Sequence, residues 1–115
     1  MKIDKEEIRK EIEEIKENKY LILVEGKKDK KALQSFGLKN IQSLENRPLF
    51  EVIESIKEKD LVLLTDLDTE GRKIYSKLHQ GLQRRGIKIN NTLRNKLFKT
   101  PVRQIEGLDT YLQEL

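Results

Sequence analysis

Two short apolar runs, "YLILV" at 20–24 and "LVLLT" at 61–65, limit the fold more than any other feature of the sequence. Neither alternates apolar with polar residues, so neither suits a strand with one wet face. Each reads as a strand covered on both sides, the pattern of a parallel sheet between layers of helices. The intervening segments supply those helices. Ile8, Ile12 and Ile15 fall at i, i+4 and i+7 of the charged stretch 4–18. That spacing predicts an amphipathic helix with Asp4 as N-cap and Glu7 three residues on, as in a capping box. A second helix is expected from about Asp29 to Phe36, stopped by Gly37. A third should run from Pro48 to about Glu58 with Leu49, Val52, Ile53 and Ile56 inward. A long fourth, from Thr69 to Arg85, carries Ile74, Leu78 and Leu82 and ends near Gly86. "NIQSL" at 40–44 and "IKI" at 87–89 read as weaker strands, and "NNTLRNKLFK" as a short basic helix. The pattern assigns no element to "QIEGLDTYLQEL" beyond Pro101.

Strand and helix alternating in this way predict an α/β, Rossmann-like fold: a parallel sheet of about four strands flanked by helices, with an extra N-terminal amphipathic helix. The 115 residues contain no evident linker, so they read as one domain, residues 1–18 forming the first helix and 19–115 the body. In doubly wound sheets the first and third strands commonly lie side by side, and a crevice opens at their carboxyl ends. Glu25 ends the first strand, and Asp66 and Asp68 follow the third. Residues 41 or more apart in sequence are therefore expected to converge.

Clustered carboxylates are costly to keep ionised without a neutralising cation. The chain has no cysteine and a single histidine, His79, so a metal here must be held by oxygen. Magnesium fits, with manganese as the alternative, because it takes one or two carboxylates plus water and substrate phosphate. Asp66 and Asp68, two apart on an extended turn, can point to one side. Asp68 and Thr69 also suit a helix N-cap, Glu70 in the first turn suits the helix dipole, and Asp29 suits the start of its own helix. Glu25 has no capping duty, which marks it for proton transfer beside the metal. Gly26 and Gly71 sit where the backbone turns or approaches a ligand.

Charge is divided unevenly along the chain. Residues 71–105 hold ten basic side chains and no acidic one. The remainder carries fourteen of the 24 basic residues and all 20 acidic ones, a net of −6. A basic run of that length suits a polyanion, so nucleic acid is the expected partner. Lys27, Lys28, Arg72, Lys73, Arg84 and Arg85 are the candidate phosphate contacts. No apolar run approaches the roughly 20 residues that span a bilayer, and the charged start lacks a signal peptide's apolar core. A cytoplasmic protein without membrane association is expected, and the first helix is left free to pack on the body, on a second copy or in a larger complex.

"LILVEGKKD" at 21–29 together with "LVLLTDLDTEG" at 61–71 resembles the two signature motifs of Toprim domains, found in type IA and type II topoisomerases, bacterial-type primases and 5S ribosomal RNA maturation nucleases. The resemblance covers roughly residues 19–90 and is closest to the small stand-alone members. It implies a Toprim fold with Glu25 as general acid or base, Asp66 and Asp68 as magnesium ligands, and Glu70 as an outer ligand. The chain has no cleavage domain to deliver a tyrosine and no primase accessory domain. What the resemblance implies is therefore magnesium-dependent phosphodiester cleavage of structured RNA or DNA, or else a non-catalytic nucleic-acid-binding scaffold in a larger complex. "DLDT" also resembles the first motif of haloacid-dehalogenase phosphatases, but after Gly71 only Glu106, Asp109 and Glu114 remain to supply that family's later acidic pair. "VEGKKDK" has one glycine and no Ser or Thr after its lysine, which sets it apart from a phosphate-binding P-loop.

Overall fold

A computed structural model describes residues 4–114 of the chain. Its elements run α1 (Lys5–Glu17), β1 (Ile22–Val24), α2 (Lys27–Gln34), β2 (Ile41–Ser43), α3 (Leu49–Ser55), β3 (Asp60–Leu63), α4 (Thr69–Arg84), β4 (Lys88–Asn90), α5 (Thr92–Leu97), a 3-10 turn at Ile105–Gly107 and α6 (Leu108–Gln113). The four strands form one sheet in the order β2-β1-β3-β4, every neighbouring pair parallel. Ile22 lies opposite Ile41 on one side and Val62 on the other, so β1 is central and β3 is its neighbour.

Both apolar runs are uninterrupted because both faces of the sheet are covered. Ile22, Val24, Val62 and Leu64 point into one core layer, whereas Leu21, Leu23, Leu61 and Leu63 point into the other, as the two-residue period of a strand requires. The first layer is closed by α1, α2, α5 and α6, through Ile12, Leu33, Leu97 and Leu112. The second is closed by α3 and α4, through Val52, Leu78 and Leu82.

The stripe on α1 packs on its own chain: Ile8, Ile12 and Ile15 are at most 2% exposed in the first layer. At roughly 1.5–3 kcal/mol for each fully buried side chain, these anchors hold the helix far more firmly than propensity would. That stripe is therefore not available to pair with a second copy. The Asp4 carboxylate caps the Glu6 amide at 3.0 Å in place of the expected box with Glu7.

Two boundaries differ from expectation, and the segment left unassigned after Pro101 finds a place in the core. Helix α2 starts at Lys27, two residues early, because Asp29 turns back to accept the Gly26 N–H at 3.0 Å from inside the first turn. Helix α3 stops at Ser55, since Ile56 takes an extended conformation (φ −73°, ψ 125°) that buries its side chain. After Pro101 the chain returns across the first core layer, burying Ile105, Leu108 and Leu112.

The β3–α4 connection is held by a close backbone approach. Thr65 Oγ1 donates to the Gly71 carbonyl at 2.9 Å, and a Cβ on Gly71 would overlap the Asp66 carbonyl and lie 2.8 Å from the Asp66 Cα. Only hydrogen fits there. Gly71→Ala should destabilise the protein by about 3 kcal/mol in urea unfolding, as expected for forced overpacking against backbone. Gly107→Ala, where an added Cβ meets nothing within 4 Å, should stay within about 0.5 kcal/mol of the parent. Equal midpoints for the two variants would show that the approach at Gly71 is not a constraint.

Candidate functional site

Adjacent parallel strands deliver the two principal carboxylates to the same edge. Glu25 follows β1 directly, and Asp66 lies just beyond β3. The Asp66 N–H donates to Glu25 Oε2 at 2.6 Å, joining residues 41 apart in sequence. Asp66 Oδ1 accepts the Ile105 N–H at 2.8 Å, so the returning tail fixes that carboxylate from the other side. Glu25, Asp29, Asp66 and Glu106 share an open cleft of about 720 Å³ with Lys27 and Lys28.

The cleft raises the proton affinity of its acids. Partial burial pushes the Asp66 carboxyl up to about 6; the Ile105 hydrogen bond opposes this, and the charges of Asp29, Glu25 and Asp68 reinforce it. Burial likewise raises Glu25, against the Asp66 hydrogen bond and with the charges of Asp29, Asp68 and Glu70. Asp29 is raised by burial and by the Glu106 carboxylate. An all-oxygen donor set whose members raise one another is what a hard cation relieves.

Among the described residues no three Asp, Glu, His or Cys groups converge closely enough to hold an ion unaided. Asp66, with Glu25 hydrogen-bonded to its amide and Asp68 two residues on, instead offers the partial set of one or two carboxylates that magnesium completes with water and phosphate. Asp68 Oδ1 caps α4 by accepting the Gly71 N–H at 2.8 Å, and Glu70 is exposed in the first turn of that helix. Both stand close enough to affect Glu25 electrostatically, although neither lines the cleft.

The basic candidates separate into two groups. Lys27 and Lys28 line the cleft, Lys27 lying 3.9 Å from Glu45. Arg72 and Lys73 are exposed near the start of α4, on the same edge of the sheet. Arg84 and Arg85 sit at the opposite end of that 16-residue helix, about 24 Å along its axis. They cannot reach a phosphate bound at Glu25, and Arg85 instead donates to the Ile53 carbonyl. Gly26 takes an ordinary extended conformation (φ −140°, ψ 177°), and a Cβ there would meet only Asp29 Oδ2, at 3.9 Å. Folding does not require glycine at 26 as it does at 71.

One basic residue in the acid-free run has an internal role. Arg94 is 4% exposed. Its Nη2 donates to the Asp66 carbonyl at 3.2 Å and its Nε to the Thr65 carbonyl at 3.4 Å, while its guanidinium lies 4.0 Å from the Tyr75 ring centre. It props the loop that carries Asp66.

Comparison with known proteins places this arrangement among relatives. A UPF0292 protein of Methanosarcina barkeri is 32% identical over 116 residues, covering 96% of this chain and 81% of its own length. The chain belongs to the UPF0292 family. A UPF0292 protein of Methanocaldococcus jannaschii is 29% identical over 100 residues, covering 81% of this chain and 78% of its own. A solved structure of an Aquifex aeolicus protein is similar at a TM-score of 0.78 and 36% identity, covering 89% of this chain and 95% of that one. No family model matches the chain.

The raised Asp66 carboxyl of this UPF0292 chain carries a pH signature. The folded protein binds that proton more tightly than the unfolded chain, so the stabilisation is complete below about pH 4 and is lost as pH rises through about 6. Asp66→Asn keeps an acceptor for Ile105 and cannot ionise. At pH 7 the variant should be more stable by on the order of 1 kcal/mol, allowing for solvent screening of a half-buried group, and the gain should vanish near pH 4. Thermal unfolding across that range would reveal it; a pH-independent difference would remove the assigned cause.

Proposed function

We propose that this chain is a magnesium-dependent phosphodiester-cleaving protein of the Toprim kind, acting on structured RNA or DNA. The observation that carries the reading is the Glu25–Asp66 pair, joined across adjacent parallel strands in a cleft flanked by Lys27 and Lys28. In this reading Asp66 and Asp68 hold magnesium, which supplies charge stabilisation at the phosphate. Glu25, with its raised proton affinity, gives a proton to the leaving oxygen or takes one from the attacking oxygen. Lys27 and Lys28, with Arg72 and Lys73 along the same edge, neutralise flanking phosphates. The motifs "VEGKKD" and "DLDTEG" support the same assignment.

The decisive assay incubates labelled structured RNA and supercoiled DNA with magnesium, manganese or EDTA, beside Glu25→Gln. Cleavage should require the metal and fall by roughly 10²–10⁴-fold in the variant, the usual range for losing a general acid or base. Binding in EDTA should be retained and should weaken steeply with salt. Unchanged turnover in Glu25→Gln refutes the role given to that residue.

One observation favours a second reading, a non-catalytic nucleic-acid-binding module: Asp68 Oδ1 is already committed to the α4 cap. Salt-sensitive binding without cleavage under any metal would select it.

A further inference from the structure

Helices α1 and α4 both turn an apolar stripe inward and a charged face to solvent, but the two faces are built differently. On α1 acids and bases are interspersed, and cations are neutralised within the helix: Arg9 pairs with Glu6 at 3.0 Å and Lys16 with Glu13 at 3.1 Å. That is the ordinary make-up of a solvated face. After Glu70, α4 carries Arg72, Lys73, Lys77 and Arg84 and no acid. All four are exposed. Among the described residues none of them takes part in an ion pair.

Their positions form a line. At 3.6 residues per turn, Lys73, Lys77 and Arg84 fall within about 40° of one another around the helix, while Leu78 and Leu82 face the core. Lys73 and Lys77 stand at i and i+4, where like charges destabilise a helix. The line begins beside the candidate site, since α4 starts at Thr69 with Asp68 as its cap. From Lys73 to Arg84 it runs about 16 Å along the axis. Helix α3 packs alongside α4 and brings exposed Glu51 and Glu54, but neither pairs with a cation of the line.

We infer that this line is a docking surface for the phosphate backbone of a duplex arm that leaves the cleft along α4. The inference rests on the proposed function and narrows its substrate to nucleic acid with a double-stranded arm on one side of the scissile bond. At a rise of about 3.4 Å per base pair, the line matches an arm of roughly five pairs. A single strand fits less well, because single-strand tracks add exposed aromatic rings on which bases stack. The tyrosine of α4, Tyr75, is instead half-buried against the Arg94 guanidinium and the His79 ring. A protein partner would need apolar area at the centre of its interface, and the exposed residues among these cations are Ser76, Gln80 and Gln83.

The test measures binding to a labelled hairpin duplex by anisotropy, in EDTA and across a range of salt. Lys77→Gln with Arg84→Gln removes two cations of the line. Lys10→Gln with Lys57→Gln removes the same charge from exposed positions elsewhere. The first double variant should flatten the slope of log affinity against log salt by about two, one for each lost phosphate contact, and the second should leave it unchanged. Equal flattening in both reduces the effect to net charge and overturns the docking line. An unchanged slope in the first overturns it too, and leaves the proposed function standing on its cleft residues. Tighter binding of a single strand of equal length overturns the duplex assignment. The expected slopes without cleavage under any metal keep the docking line and refute the catalytic reading alone. Absence of nucleic-acid binding overturns both proposals and leaves the cations to an acidic protein.

Discussion

The side-by-side placement of β1 and β3 in the middle of the sheet is the constraint on which the rest depends. Each strand is apolar on both faces, so each must lie between two helical layers, and that requirement places them at the centre. Parallel neighbours end at the same edge. Whatever follows the two strands in sequence is therefore brought together, and here it is Glu25 and Asp66. Burial of Leu23 and Leu63 thus fixes the site before any polar contact is considered.

The polar contacts then set its chemistry. Asp66 is held from three directions: by its own N–H on Glu25, by the Ile105 N–H on its carboxylate, and by Arg94 on its carbonyl. All three anchors are fully or partly buried, so they are screened less than surface pairs would be. The result is a carboxylate in fixed position whose charge is disfavoured. Such strain is unnecessary in a scaffold, where a neutral residue would be more stable, but it suits a group that meets a cation or a proton.

Much of this was legible in the sequence because it rests on short-range pattern. Uninterrupted apolar runs revealed the two central strands, and the carboxylates after them marked the edge where they meet. What escaped notice depends on contacts between distant segments. Arg94 reads as one more cation in a basic run, and only the fold shows that it lies under Tyr75 and props the Asp66 loop. The spacing of Ile105, Leu108 and Leu112 at i, i+3 and i+7 was present, but Gly107 interrupts it and Pro101 precedes it. The tail finds its place through the core it covers, and the Ile105 amide reaches Asp66 only as a consequence. Asp29 read as an ordinary cap, and it does hold the Gly26 amide; its place beside Glu25 and Asp66 in the cleft follows from where α2 begins. Arg84 and Arg85 are set apart from the cleft for the opposite reason, since a basic run that is continuous in sequence passes along a whole helix to the far edge of the sheet.

The central claim is that the carboxylate edge of the sheet binds a hard divalent cation. Titrating isotopically labelled protein with Mn²⁺ and following the loss of backbone amide signals tests it without a substrate. The account predicts early, saturable broadening at Gly26, Asp66 and Ile105, with Arg84 and Arg85 at the far end of α4 unaffected. Broadening centred elsewhere, or spread evenly over the acidic surface of α1, would contradict it.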